Sequence, residues 1–232
     1  MRNPRSIAAL AAMLVAVSAF ASSGRTLTDR DRRTIRNAAE VLESLSSAPD
    51  NGIPRELLQR AECVLVFPNV VKGAFVVGGR YGRGVAACRR GEQLGPPAFF
   101  SIGGASVGWQ WGVQGTDFVL LVMNEDGMKN LLEDKLTIGG NASASIGPVG
   151  RTAEAATDAQ LQAQILSWSR SRGLFAGASL EGAVVQPSED ANARLYGKEI
   201  PVRDILLDSR AHTPAAATDY LETARALTKR SP

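Results

Sequence analysis

The chain has 232 residues, 44% of them hydrophobic, and a formal net charge of +3. This length and composition suit one domain with a substantial core and argue against a disordered chain. The charge is too small to favour a nucleic-acid partner, so any attraction to an anionic surface has to come from a local patch.

The N-terminus has the pattern of a secretory signal peptide. Arg2 and Arg5 precede an apolar run from Ile7 to Val17, which ends at Ala19-Phe20-Ala21. We expect cleavage after Ala21, and no cysteine lies near that point to carry the lipid of a lipoprotein. An uncleaved membrane anchor is the alternative, but the apolar run is short for a bilayer. Residues 22–232 are thus predicted to form a single periplasmic or secreted domain.

The N-terminal part of this domain, residues 28–61, is predicted to be helical. Thr28 is a plausible N-cap, and an apolar stripe follows it at Ile35, Ala38, Leu42 and Leu45. The other face of this helix, over 28–46, carries Arg30, Arg32, Arg33 and Arg36. A basic amphipathic helix can lie in a membrane interface, but the stripe lacks aromatic residues, which favours core packing. Pro54 predicts the start of a second, short helix that ends at Ala61.

Residues 62–186 are predicted to form the β core, because the apolar period changes to two and glycines become frequent. We predict strands at 64–67, 73–79, 84–89, 118–123, 136–146 and 174–186, and a short helix within 124–133. Residues 159–169 fit a helix or a strand, and their second half is taken as a strand that enters a hairpin at 170–173. In the segment 104–114, Trp and Val alternate with Gly, Ser and Gln, which predicts a bent sheet, a barrel corner or a backbone-lined ligand surface.

After Pro187, helices are predicted at 190–196, 202–207 and 215–229, within a helical C-terminal part at 188–232. The predicted fold class is therefore α+β. A glycine-rich, mainly antiparallel β core, either a curved sheet or a barrel, has helices at its N- and C-terminal ends.

Enzymatic chemistry finds little support in the sequence. The single histidine, His212, lies in a Pro- and Ala-rich segment typical of an exposed loop. The chain lacks the common zinc, nucleotide and nucleophile motifs, and one histidine with two cysteines argues against a structural zinc site. We predict no enzymatic activity, no cofactor and no metal.

The two cysteines, Cys63 and Cys88, both lie in apolar strand contexts. In an oxidising compartment they are expected to form a disulfide if their strands are neighbours; two buried free thiols are the alternative. Such a bridge would stabilise the fold by on the order of 3 kcal/mol.

Three blocks of the sequence, in this order, resemble the SYLF lipid-binding family. They read CVLVFPNVVKGAFVVGGRYGRGV at 63–85, GGASVGWQWGVQGTDFVLLVMNEDGMKNLL at 103–132 and GPVGRTAEAATDAQLQAQILSWSRSRGLFAGASLEG at 147–182. The resemblance implies a binder of membrane lipids without known chemistry, whose eukaryotic relatives bind phosphoinositides and in some cases actin. The family's basic motifs match at Arg80 and Arg83 and at Arg170 and Arg172. Trp168 stands where the family usually has tyrosine.

The hypothesis for function is that basic residues at predicted turns bind anionic phospholipid headgroups, since the planar guanidinium suits phosphate oxygens. The candidate residues are Lys72, Arg80, Arg83, Arg151, Arg170 and Arg172, and Arg89 and Arg90 are further basic residues near turns. As exposed charges, the arginines are expected to contribute little to stability. The alternative is an envelope structural or interaction protein that binds a protein or cell-wall partner on the glycine-rich sheet face, which includes Gly108 and Gly112.

Overall fold

The computed structural model describes residues 26–46, 52–74, 77–107, 114–148, 162–171, 174–208 and 211–230. The helices are α1 (Asp29–Ser46), α2 (Arg55–Arg60), α3 (Glu125–Leu131), α4 (Glu189–Tyr196), α5 (Val202–Leu206) and α6 (Thr218–Thr228), with a 3-10 turn at Ala215–Ala217. The strands are β1 (Cys63–Ala74), β2 (Val77–Arg90), β3 (Gln93–Leu94), β4 (Ala98–Val107), β5 (Gln114–Val122), β6 (Leu136–Thr137), β7 (Ala144–Ile146), β8 (Ile165–Ser171), β9 (Leu174–Gly177) and β10 (Val184–Pro187).

Helix α1 begins with a reciprocal cap between Thr28 and Asp31. The Thr28 hydroxyl oxygen accepts the Asp31 N–H at 3.2 Å, and the Thr28 N–H donates to the Asp31 carboxylate at 3.1 Å. The predicted N-cap is confirmed. The apolar stripe from Ile35 to Leu45 is buried, which also confirms the prediction that this helix packs on the core.

The strands form one sheet in the order β6-β10-β4-β2-β1-β5-β8-β7, with β3 beside β2 and β9 beside β8. Every neighbouring pair is antiparallel except β7 and β8. The sheet curls into a half-barrel, with helices at both ends of the domain. The predicted α+β class and curved antiparallel sheet are confirmed, and the described strands form a half-barrel instead of a closed barrel.

Both faces of the sheet are buried against helices, which explains the continuous apolar runs of the central strands. On one face, Val64 and Val66 of β1 pack with α1, α2 and α6. On the other, Leu65 and Phe67 pack with residues of β4, β10 and α5. Successive side chains of a strand alternate between these two cores. We call the side of the sheet that packs against α1 the α1 face, and the side that packs against α5 the α5 face.

The predicted disulfide between Cys63 and Cys88 is confirmed. The two residues are register partners on the antiparallel strands β1 and β2, with their Cα atoms 4.0 Å apart. Both are fully buried in the core of the α5 face. The bond therefore joins the two central strands of the sheet within the hydrophobic core.

The predicted boundaries of the first strands are wrong, because Pro68 and Asn69 do not end a strand. They form a bulge within β1, where Asn69 adopts a φ of 52° and its N–H donates to the Asp117 carboxylate at 2.8 Å. Strand β2 likewise runs without interruption through Gly82 and Gly84. Two other predicted strands are longer than the observed ones, since turns interrupt 136–146 and 174–186 at Gly139 and Gly182, with φ of 78° and 75°.

The hairpin that joins 165–171 to 174–177 is confirmed, with β8 and β9 antiparallel. The predicted C-terminal helices correspond to α4, α5 and α6 within a few residues at each end. Most of the segment 104–114, including Gly108 and Gly112, lies outside the described residues. Across the described helices, none combines the length and the apolar character that crossing a membrane requires.

Candidate functional site

A basic pocket lies between the N-terminal half of α1 and the strands β1 and β2. Its volume is about 740 Å³, within the size range of small-molecule sites. Helix α1 contributes Arg30 and Arg33, and β2 contributes Tyr81 and Arg83. None of its described lining residues is acidic. We call it the α1–β2 pocket.

The arginines of α1 reach the pocket because of their helical spacing. Arg30, Arg33 and Asn37 fall on one stripe at intervals of three and four residues, next to the buried stripe of the helix. Both arginine side chains are exposed, and neither has an ion-pair partner within the described ranges. Their charge is therefore available to a ligand.

Arg83 reaches the pocket from the α1 face of β2, but its charge is already engaged. Its guanidinium forms an ion pair with the fully buried Asp31 at 2.9 Å and lies 5.6 Å from the ring centroid of Phe99. Arg194 of α4 binds the same carboxylate at 2.7 Å. One carboxylate against two guanidiniums leaves this cluster with a net positive charge.

Asp31 remains ionised in this cluster in spite of its burial. Burial would raise the pKa of Asp31, but hydrogen bonds from Arg194 and Thr28 and the charge of Arg83 outweigh it and hold the pKa well below its usual range. Arg194 is positioned by α4, which is tied to β4 through the buried Asn192: its side chain accepts the Phe99 N–H at 2.6 Å. The cluster thus joins α1, β2 and α4.

Arg80 borders the pocket, but its side chain belongs to the other side of the sheet. Residues 80, 86 and 88 share one parity along β2, and Ala86 and Cys88 pack into the α5 face. Its Nε atom is buried and has no hydrogen-bond partner among the described residues, and this burial lowers the pKa of Arg80. Arg80 and Arg83, which form one basic motif in the sequence, therefore point to opposite faces.

Gly82 and Gly84 of GGRYGRG serve packing between strands. A Cβ atom at Gly82 would lie 2.5 Å from Cγ2 of Val70, and one at Gly84 would overlap the carbonyl oxygen of Val66 and the ring of Phe67. Because these contacts are made on the α5 face, the glycines let β1 and β2 approach there. The prediction that Arg80 and Arg83 lie at a turn is wrong: both lie within a continuous strand.

Arg170 is committed to a structural ion pair away from the α1–β2 pocket. Its guanidinium binds the Asp117 carboxylate at 2.6 and 2.8 Å and donates to the Ser44 hydroxyl of α1 at 2.8 Å. Since Arg83 and Arg170 are both largely buried in ion pairs, the expectation that these two are ordinary exposed charges is wrong. Lys72 is the register partner of Arg80 in β1, and its side chain is not among those that the structure describes. Arg151 and Arg172 lie outside the described residues.

Arg89 and Arg90 are also structural, and they bind carbonyl oxygens instead of acids. Arg89 donates to Gln59, Ala61, Glu92 and Thr228, which ties β2 to α2 and α6. Arg90 donates to Asp204, Ile205 and Leu206 of α5. The carbonyl oxygens at the C-terminal end of a helix lack intrahelical partners and carry partial negative charge, so they suit a guanidinium.

The remaining positions singled out in the sequence have simple environments. Trp168 is fully buried, packs against Gly147 and donates its indole N–H to the Pro148 carbonyl at 2.8 Å, so a tyrosine hydroxyl is not needed there. His212 is exposed, as predicted. Within the described part of the chain, no group of three or more His, Cys, Asp or Glu residues could hold a metal ion.

Sequence patterns do not indicate that Arg30, Arg33, Tyr81 and Val71 share one pocket. The arginines are visible in the sequence as the polar face of a core-packing helix, and Tyr81 lies inside GGRYGRG. The sequence does not indicate that α1 packs against β2, because this is a contact between segments that are distant along the chain.

Comparison with known proteins assigns the chain to a family. The model of the Ysc84 family, described as "Las17-binding protein actin regulator", matches residues 103–227. LAS seventeen-binding protein 3 of Saccharomyces cerevisiae is 34% identical over 190 residues, which are 78% of this chain and 41% of the yeast protein. SH3 domain-containing YSC84-like protein 1 of Homo sapiens is 28% identical over 202 residues, 84% of this chain and 58% of the human protein. The chain thus spans about half the length of these relatives, and it belongs to the Ysc84, or SYLF, family.

Proposed function

We propose that the chain is a non-enzymatic lipid-binding protein that engages anionic phospholipid headgroups at a membrane surface, with the α1–β2 pocket as its site. The observation that carries the proposal is a pocket of about 740 Å³ in which the described lining includes arginines from two elements and no acid. Arg30 and Arg33 supply exposed guanidiniums that have no ion-pair partner within the described ranges, and guanidiniums suit phosphate oxygens. Arg83 also lines the pocket, and its cluster with Asp31 and Arg194 has a net positive charge.

The family supports a binding role. The family model and the yeast relative carry names of binding and regulator proteins. Among the described residues there is also no cluster of His, Cys, Asp or Glu that could hold a metal ion. Recognition of phosphate by arginine requires neither a nucleophile nor a general base, so the site needs no catalytic group.

The test is vesicle flotation with Arg30→Gln/Arg33→Gln, which removes the two exposed arginines of the pocket. Basic residues near an anionic surface contribute about 1 kcal/mol each, so this variant should bind vesicles of mixed neutral and anionic phospholipid roughly 30-fold more weakly. Wild-type binding should also fall with rising salt. Vesicles of neutral phospholipid alone should bind neither protein.

Arg32→Gln/Arg36→Gln is the matched control, since it removes two exposed charges from the same helix outside the pocket. We expect this control to change binding by only a fewfold. Equal losses in the two double variants would mean that the whole helix face acts by diffuse attraction, and the pocket would no longer be the site. Unchanged binding by Arg30→Gln/Arg33→Gln would reject the proposal.

A protein partner is the second candidate function, because the relatives are named for binding a protein and for an SH3 domain. For this chain we propose the glycine-rich sheet face as its location. Gly108→Leu should then abolish association with an envelope partner while vesicle binding is retained. The reverse pattern, loss of vesicle binding alone, would reject that assignment.

We further propose that the protein is exported and acts in the periplasm or outside the cell. A disulfide buried between two central strands supports an oxidising compartment. Protein purified from the envelope should begin at Ser22 and should have a mass two hydrogens below that of the reduced chain. Two thiols that react with an alkylating agent in the denatured, unreduced protein would contradict this proposal.

A further inference from the structure

We infer that Val71 and Tyr81 insert into the interfacial region of an anionic bilayer while the α1–β2 pocket holds a headgroup. This inference rests on the proposed function and adds how the protein is oriented on the membrane. It commits to one partner, a bilayer surface that carries anionic phospholipid.

The first observation is that these two residues form an exposed apolar pair beside a basic site. Within the described part of the chain, the large exposed hydrophobic residues are Val71, Tyr81, Ile146 and Leu174. Val71 is 37% and Tyr81 53% exposed, and they are register partners on β1 and β2. Both line the α1–β2 pocket together with Arg30 and Arg33.

The second observation is where the pair projects. Tyr81 and Arg83 share one parity along β2, and Arg83 contacts Asp31 on the α1 face. Val71 lies directly opposite Tyr81 and is therefore on the same face of the sheet. The apolar pair and the arginines of α1 thus border one opening and can meet one surface at the same time.

The chemistry of this group matches an anionic membrane surface. Arginines attract anionic headgroups, and a tyrosine beside them places its ring at the level of the headgroups with its hydroxyl toward water. A soluble anion would use the arginines alone and would leave Tyr81 in water. Insertion therefore predicts an affinity contribution that exists with vesicles and is missing with a free headgroup.

The experiment compares Tyr81→Ser and Val71→Ser with wild type in two assays. The first is flotation with vesicles that contain phosphatidylglycerol, at low and high salt. The second is calorimetric titration with glycerophosphoglycerol, the same headgroup without its acyl chains. Loss of a large, partly inserted apolar side chain should weaken vesicle binding about tenfold for Tyr81→Ser. Binding of the soluble headgroup should fall much less than binding of vesicles, since the arginines remain, and the slope of vesicle affinity against salt should stay unchanged.

Two matched variants separate insertion from other effects. Leu174→Ser removes a side chain that is 68% exposed and lies on β9, outside the pocket, and it should bind vesicles as wild type does. Tyr81→Phe should retain most vesicle binding, since the ring is kept. Because all three sites are exposed, the three serine variants should melt near the wild-type temperature.

The outcomes distinguish this inference from the proposed function. If vesicle binding depends on Arg30 and Arg33 but Tyr81→Ser binds vesicles as wild type does, insertion is overturned. The headgroup site is then still supported. If Tyr81→Ser lowered the affinity for vesicles and for the soluble headgroup equally, insertion would also be overturned, because Tyr81 would then act only as a headgroup contact. No binding of wild type to anionic vesicles would overturn the proposed function itself.

Discussion

Replacing Arg83 by methionine tests whether the basic motif of β2 serves the fold as well as the ligand. The change keeps an unbranched apolar stem and removes the guanidinium that binds Asp31 at 2.9 Å. Asp31 is fully buried, and the side chain of Arg83 is only 11% exposed. We therefore expect a clear loss of stability.

The size of the loss follows from the cluster. Breaking a buried ion pair by removing one partner costs roughly 3–5 kcal/mol. Arg194 and Thr28 still bind the Asp31 carboxylate in the variant, so the lower end, about 3 kcal/mol, is expected. For a chain of this size about 1 kcal/mol corresponds to 2–4 °C in Tm, so Tm should fall by roughly 6–12 °C.

Arg80→Met is the matched comparison, three residues along the same strand and with the same change of charge. Its Nε atom is buried without a partner in the described part of the chain, and burial of an unpaired polar group opposes folding. Thermal unfolding followed by circular dichroism should give Arg80→Met a Tm equal to or above that of wild type. A Tm for Arg83→Met within about 2 °C of wild type, less than 1 kcal/mol, would refute the structural role of the Arg83–Asp31 pair.

Two further predictions concern buried groups elsewhere. The pKa of Asp31 is lowered in the folded state, so its contribution to stability is complete above the unfolded pKa of about 3.9 and is lost as pH falls below that value. Between pH 5 and pH 3, urea titrations should therefore show a larger fall in the free energy of unfolding for wild type than for Asp31→Asn. Equal falls in the two proteins would contradict this origin. A Cβ atom at Gly147 would overlap the indole of Trp168, so Gly147→Ala should lower the free energy of unfolding by about 1–3 kcal/mol in a denaturation assay. Adding Trp168→Phe should relieve part of that loss. Simple additivity of the two losses would show that the overlap is not its cause.

The helices are predictable from sequence because their signals are local. The Thr28 cap and the stripe from Ile35 to Leu45 specify α1 without reference to any other segment. The antiparallel core is predictable from the period of two and from the cysteines, which are register partners in the sheet.

Strand continuity is harder to predict, because glycine and proline occur both at turns between strands and at bulges or close contacts within a strand. Gly82 and Gly84 have the pattern of a turn, yet they are required where β2 passes close to Val70 and Phe67. Interpreting them as a turn places Arg80 and Arg83 at one loop. Along a continuous strand, residues three apart lie on opposite faces, so the period of two alone assigns the two arginines to different sides of the sheet.

The basic pocket depends on Asp31, although Asp31 does not line it. The carboxylate caps α1 and binds Arg83 of β2 and Arg194 of α4, which fixes the N-terminal turn of α1 over the sheet. Arg30 and Arg33 flank Asp31 on that turn, and their positions above the pocket follow from this anchor. A loss of lipid binding by Arg83→Met would therefore combine a missing charge with a displaced helix. Binding by Arg30→Gln/Arg33→Gln isolates the charge, because those exposed side chains carry no ion pair within the described structure.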